Sequence, residues 1–159
     1  MIRTTLESET VALLAIAEGT TVFKPLEIEA LKEVLDDYHE GNRQLGHRAI
    51  TFEQDSQPVG FAYYAPTPMT DHTWHLYWIF VSKTIQAKGI GAQLLKFVED
   101  DILASGGRLF LIETSSLPSY QPTRNFYRKH GYEQAATIRD FYMDGDDQVI
   151  FRKHLLKTS

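Results

Sequence analysis

One stretch of the chain reads Gln86-Ala87-Lys88-Gly89-Ile90-Gly91. It lies between an aromatic and β-branched run, 74–81, and a segment with helical apolar spacing, 92–104. A strand-to-helix turn of this composition can hold a phosphate. The first N–H groups of a helix lack internal partners, and the helix dipole is positive there. Glycine lets a bulky anion approach those groups, so no cluster of basic side chains is needed. Lys88 adds one charge. Taken alone, Gly-x-Gly also describes an ordinary tight turn. The dinucleotide fingerprint requires a third glycine where Leu94 stands, and it follows a first strand rather than a middle one. The Gly-Lys-Ser/Thr of a triphosphate loop is absent.

Other chemistries find less support. The sequence has 0 cysteines, which excludes disulfides, thiolate catalysis and cysteine-held metals. No Gly-x-Ser-x-Gly elbow is present. His72 and His75 are three apart at a strand start, so they are expected on opposite faces rather than on one metal. Asp144, Asp146 and Asp147 crowd a turn without the spacing of a calcium loop. No metal is expected.

The elements that must position the turn follow from periodicity. Helices are expected at 9–18, 25–40, 92–104 and 122–130, the second beginning with Pro25 and ending at Gly41. Strands are expected at 47–52, 59–64, 74–81, 108–113, 132–138 and 149–155, with a short one at 2–6. The strand–helix–strand unit over 74–113 implies a right-handed parallel crossover, and the flanking hairpins imply antiparallel neighbours. The expected fold is α/β (α+β): a mixed, mostly antiparallel sheet of six to seven strands with helices on both faces, forming one domain over 1–159.

Two motifs in this order resemble those of the GCN5-related N-acetyltransferase (GNAT) superfamily. Gln86-x-x-Gly89-x-Gly91 is similar to its Gln/Arg-x-x-Gly-x-Gly/Ala turn. The run Phe126-Tyr127-Arg128-Lys129-His130-Gly131-Tyr132 is similar to its later helix, which carries a Phe-Tyr pair and closes at Gly-Phe or Gly-Tyr. The 41 positions from Gln86 to Tyr127 accommodate a helix, a strand and a loop, as in the family, and the resemblance covers nearly the whole chain.

The resemblance implies acetyl transfer from acetyl-CoA (coenzyme A) to an amine. It implies pyrophosphate on the backbone of Gln86, Ala87, Lys88, Gly89, Ile90, Gly91 and Ala92, with pantetheine beside Ile79, Phe80 and Val81. Thr123 and Phe126 would also border the cofactor, and Tyr127 matches the tyrosine that protonates the departing thiolate. Many members carry asparagine where Tyr120 stands, which leaves Ser119 or Thr123 as substitutes for its contact. Glu113, at the end of the strand beside the cofactor strand, is the first-ranked base, ahead of His75, Tyr77, Asp140 and Tyr142. Direct attack with proton loss through water needs no side-chain base.

Charge and composition bound the partners. Net charge is −5, from 16 basic and 21 acidic residues, which favours neither nucleic acid nor an anionic membrane. No run is long and apolar enough to span a membrane. Together with the resemblance, the expectation is a cytoplasmic acetyl-CoA-dependent N-acetyltransferase acting on a small-molecule amine, and a homodimer is compatible with it. A protein or peptide amine is the nearest alternative, and a non-catalytic acyl-CoA sensor the rival of another class.

Overall fold

A lysine, then proline, then a glutamate three positions after the lysine opens the longest helix: Pro25 fixes the first turn, and the Glu27 carboxylate accepts from the Lys24 N–H at 3.1 Å. Leu31, Leu35 and Tyr38 recur at helical spacing and are buried. The same logic, with a period of two in the strands, gives the rest. In chain order these are β1 (Ile2–Thr4), α1 (Thr10–Gly19), α2 (Pro25–Glu40), β2 (Arg48–Gln54), β3 (Gln57–Pro66) and β4 (Thr73–Val81). There follow α3 (Ile90–Ala104), β5 (Leu109–Ser115), α4 (Gln121–Lys129), β6 (Glu133–Met143) and β7 (Asp146–His154). This computed structural model describes residues 1–85 and 89–156. The strands form one sheet in the order β1-β2-β3-β4-β5-β7-β6. β4 and β5 run parallel, whereas β1–β2, β2–β3, β5–β7 and β6–β7 are antiparallel. The expected mixed sheet and central crossover are thus present.

The chain divides into two compact units, one of 1–66 with 78–98 and one of 67–77 with 99–159. In the first, alternation along β3 separates two layers. Phe61 and Tyr63 join Phe80 and Ala49 against Leu13, Ala17, Leu31, Leu35 and Tyr38 of α1 and α2. Gly60 points the other way, where a Cβ would lie 3.1 Å from Leu94 of α3, so the helix rides close on the strand. Phe23 closes the cluster edge-on against Trp78 and Phe80, with centroids 5.3 and 6.0 Å apart. At the N-terminus, the Arg3 guanidinium donates to both oxygens of Glu9 at 2.8 and 3.0 Å and to Glu53 at 3.0 Å. Burial opposes charge on Glu9, but the Arg3 hydrogen bond, the Leu6 N–H and the Arg3 charge together leave its pKa lowered.

In the second unit, one face of β5 and β7 packs on α4: Phe110, Ile112, Val149 and Phe151 are buried there with Tyr127 and Tyr132. Tyr132 donates to Glu99 at 2.6 Å, and Lys153 reaches the same carboxylate at 3.1 Å and the His130 carbonyl at 3.0 Å. β6 is the exposed edge, with every residue of its 11 exposed. The turn into β5 is tight. A Cβ on Gly107 would fall 2.1 Å from Ile102 Cγ2 and 2.8 Å from the Ile102 carbonyl oxygen.

Two predictions follow from this packing. Gly107→Ala should lower unfolding free energy by about 1–3 kcal/mol, the cost of overpacking, read from urea denaturation. The second concerns His47, whose Nδ1 lies 2.7 Å from the Tyr63 hydroxyl and whose pKa is lowered by burial. The folded state then binds the proton less readily than the unfolded chain. The stability His47 contributes is complete above the unfolded value of about 6.5 and is lost as pH falls through the folded one. Denaturation at pH 8 and pH 5 should show a smaller acid loss in His47→Gln than in the wild type.

Candidate active site

The candidate phosphate turn lies between the end of β4 and the start of α3. Phe80 is anchored in the core, with Ile79 and Val81 half-buried on either side, and the Ser82 N–H donates to the Val59 carbonyl at 2.7 Å. Gln86, Ala87 and Lys88 lie outside the described residues. Gly89 has φ +83°, a conformation that favours glycine, and a Cβ there would meet nothing within 4 Å. Its carbonyl accepts the first helical bond, from Gln93 N–H at 2.9 Å. The N–H groups of Ile90, Gly91 and Ala92 therefore precede the internal ladder. Ile90 holds them in place because its side chain is buried against Gly60. The helix begins at Ile90, not Ala92, so the expected donors belong to its first turn. An open left-handed glycine ahead of helical N–H groups without a partner among the described residues fits a pyrophosphate.

In the second unit, the Tyr127 ring sits among Phe126, Tyr132 and Phe151, at centroid distances of 5.6, 6.0 and 5.7 Å. Burial pushes its hydroxyl pKa well above the ordinary tyrosine value. Among the described residues that hydroxyl makes no hydrogen bond, and the only sealed, unpartnered side-chain polar atom is His39 Nε2. Phe126 and Thr123 are half-buried on the same helix. Tyr120, at the family's asparagine position, is buried, and Ser119 beside it is exposed.

Glu113 lies one residue beyond the β4–β5 pairing, whose register runs from Thr73↔Leu109 to Leu76↔Ile112. Its Oε1 is 3.3 Å from His75 Nε2, and its Oε2 accepts from Gln148 Nε2 at 3.0 Å. His75 Nδ1 is in turn 2.5 Å from the Thr67 hydroxyl. Tyr77 follows on the same face, with its ring centroid 5.9 Å from that of His75. Burial first, and then the Glu113 charge, raise the Tyr77 pKa, so near neutral pH Tyr77 keeps its proton. Of the sequence candidates, the fold thus gathers Glu113, His75 and Tyr77. Asp140 is engaged otherwise: its carboxylate accepts from the Gly145 N–H at 2.8 Å, within the β6–β7 hairpin.

A residue missed by sequence reading is Arg124. It is buried, and donates to the carbonyls of Ser115 and Leu117 at 2.6 and 3.0 Å and to the Gln121 side chain at 2.9 Å. Burial, then the charge of Arg128, lowers its pKa. Ser115 also donates to the buried Asp146 carboxylate. Arg124 thereby ties α4, which carries Tyr127, to the end of β5, which carries Glu113.

The sequence of residues 46–134 matches the model of the acetyltransferase (GNAT) domain. The chain belongs to the GNAT acetyltransferase family. It is 34% identical to a GNAT-family protein from Desulfovibrio desulfuricans, over 98% of this chain and 99% of that one, with a TM-score of 0.92. A ribosomal-protein-alanine N-acetyltransferase from Brucella melitensis shares the fold at 23% identity, 98% and 99% coverage and TM-score 0.78. So does an aminoglycoside 6′-N-acetyltransferase solved with coenzyme A, at 14% identity, 100% and 99% coverage and TM-score 0.75. No curated protein sequence gives a match. This GNAT protein is an acyltransferase of a family that uses acetyl-CoA. None of its described helices is long and apolar enough to cross a membrane.

Arg124→Met should orphan the buried Ser115 carbonyl, at about 1–3 kcal/mol, and free the half-buried Leu117 carbonyl at less, and Arg124→Lys should recover only part of the loss because an ammonium cannot reproduce the fork. Thermal and denaturant unfolding of the two variants checks this.

Proposed function

We propose that this chain is, over 1–159, an acetyl-CoA-dependent N-acetyltransferase that acts on a primary amine of a small molecule through a ternary complex. The pyrophosphate rests on backbone N–H groups from Gln86 to Ala92, and pantetheine runs beside Ile79, Phe80 and Val81. Thr123 and Phe126 flank it. The observation that carries the catalytic half is Tyr127: a buried ring whose hydroxyl is held protonated and has no hydrogen-bond acceptor among the described residues.

An alkylamine with a pKa of about 10.4 arrives as ammonium and must lose a proton before it attacks. Glu113 takes that proton. The neutral nitrogen then adds to the thioester carbonyl, forming the C–N bond, and a strand N–H steadies the oxyanion. Collapse breaks the C–S bond. The thiolate takes the Tyr127 proton, and the amide nitrogen returns a proton to the tyrosinate. The products are the acetamide and free CoA, with one proton left on Glu113 for solvent.

Proteins of this fold acetylate both a ribosomal-protein alanine and aminoglycosides. The small-amine reading rests on an exposed carboxylate lined by Tyr77 and His75 rather than on a relative's acceptor. A cytoplasmic location fits the lack of cysteine. Pairing of two copies is compatible with the exposed β6 edge.

Incubation with acetyl-CoA and a panel of small amines and peptides should release thiol with a small amine. Release only with peptides would move the acceptor class, and tight CoA binding without release would favour a sensor. Tyr127→Phe should lower kcat about 100-fold or more while sparing CoA affinity; unchanged turnover removes the tyrosine from its role. Acetyl-CoA at about 100 times its Kd should add about 2.7 kcal/mol of stability.

A further inference from the structure

Leu109, Phe110, Leu111 and Ile112 form an unbroken apolar run, the pattern of a strand covered on both faces. Only one face of β5 is covered. Phe110 and Ile112 are buried, together with Val149 and Phe151 of β7. Leu111 and Ile150, on the opposite face of the same two inner strands, are half-buried. Register defines what shares that face, because directly paired residues project to the same side. Leu111 stands between His75 and Arg152, and Arg152 beside Glu133. Two positions further along β5, Glu113 pairs with Ile150, and Ile150 with Ala136. Two beyond that, Ser115 pairs with Gln148, and Gln148 with Ile138. Ala136 and Ile138 are exposed, as is Tyr77, two positions after His75. The face is therefore an apolar strip of Leu111, Ile150, Ala136 and Ile138, with Glu113 set into it.

Charge on this face is sparse. Arg152 and Glu133 cancel in an ion pair. Asp146 is buried and accepts from Ser115. Glu113 is exposed, and among the described residues neither arginine nor lysine pairs with it. His75 Nε2 lies 3.3 Å from its Oε1, and Gln148 Nε2 donates to its Oε2 at 3.0 Å. These contacts use two of the roughly four acceptor sites of a carboxylate, so both oxygens can still receive a donor.

We infer that this face receives the carbon skeleton of the acceptor, and that the acceptor is an apolar monoamine: one ammonium at Glu113, and an uncharged hydrocarbon body laid over Ile150, Leu111 and Ala136. This rests on the proposal that Glu113 meets the amine. A flat apolar strip around a single anion complements an amphiphile of that kind. A polyamine would set its further ammonium groups over Ile150 and Ala136 and lose hydration there without a counter-charge. An amino acid would bring a carboxylate to a face whose arginine is already paired. A second copy of the chain would cover the strip but would also seal Glu113 beneath it, burying a carboxylate without an arginine or lysine.

Steady-state assays with saturating acetyl-CoA and an amine series decide it. From ethylamine through n-butylamine to n-hexylamine, kcat/KM should rise about twofold per methylene, less than the roughly fourfold of a fully buried methylene because the face covers one side of the chain. Hexamethylenediamine, which is as long but carries a second ammonium, should fall about tenfold below n-hexylamine. Ile150→Thr keeps a β-branched residue in the strand and should flatten the rise with chain length. Ala136→Glu lies on the exposed edge, where folding is not at risk, and places a carboxylate two strand spacings, roughly 10 Å, from Glu113. It should narrow the gap between diamine and n-hexylamine about threefold. Thr137, paired with Val149, faces the other way, so Thr137→Glu adds the same charge and should leave that ratio unchanged. Equal kcat/KM across the alkylamine series, or a wild-type preference for the diamine, overturns the inference. If Glu113→Gln retains full kcat/KM, the reading of Glu113 falls and the inference with it. If Glu113→Gln is impaired and chain length has no effect, only the apolar acceptor is lost. Thiol release with no amine at all overturns both.

Discussion

β5 pairs with β4 over four positions, Leu109 to Ile112, and with β7 over seven, Leu109 to Ser115. That inequality is the constraint behind the candidate chemistry of the second unit. Glu113, Thr114 and Ser115 keep a rigid ladder on the β7 side, so they are held in place, while their register with β4 has ended. A carboxylate at the first of these positions is carried on a hydrogen-bonded backbone, met by His75 and Gln148, and still exposed. Rigid support with an open face is what a reacting group requires, since a misplaced donor or acceptor loses most of its effect.

The packing on the opposite face completes this arrangement. Tyr127, Phe110, Phe151 and Tyr132 form an aromatic layer beneath β5 and β7. Their burial fixes the helix that carries Tyr127, and the same burial keeps its phenol protonated. One cause therefore serves both stability and the proposed proton donation. Arg124 adds a polar tie by satisfying two carbonyls at the end of β5, where the chain leaves the sheet. Fold alone leaves the acceptor undetermined, because the acceptor side is lined by residues that the shared packing does not specify.

What could be read from the sequence follows from how local each determinant is. α2 was expected at 25–40 and spans Pro25–Glu40, because Pro25 and Gly41 punctuate an amphipathic stripe. Gly89 and Tyr127 were legible through short motifs with fixed spacing. β6 was expected to end at Ile138 but runs to Met143. Its exposed residues show no alternation, and the left-handed Asp140 interrupts the register between Ile138 and Met143, so the period of two is lost. The link between His75 and Glu113 is set by parallel register across 38 positions, which no local pattern encodes. No local pattern marks Arg124; its burial depends on where two carbonyls 7 and 9 residues earlier are left by the chain.

The exposed edge strand has a consequence for how such a protein can change. β6 is exposed along all 11 residues and has a single neighbour, β7. Substitutions at such positions usually alter stability by no more than about 0.5 kcal/mol. The strand can therefore drift through many side chains while the aromatic layer and the β5 ladder stay intact. β6 thus offers a surface that can be reshaped without rebuilding the strands that carry Glu113 and Tyr77.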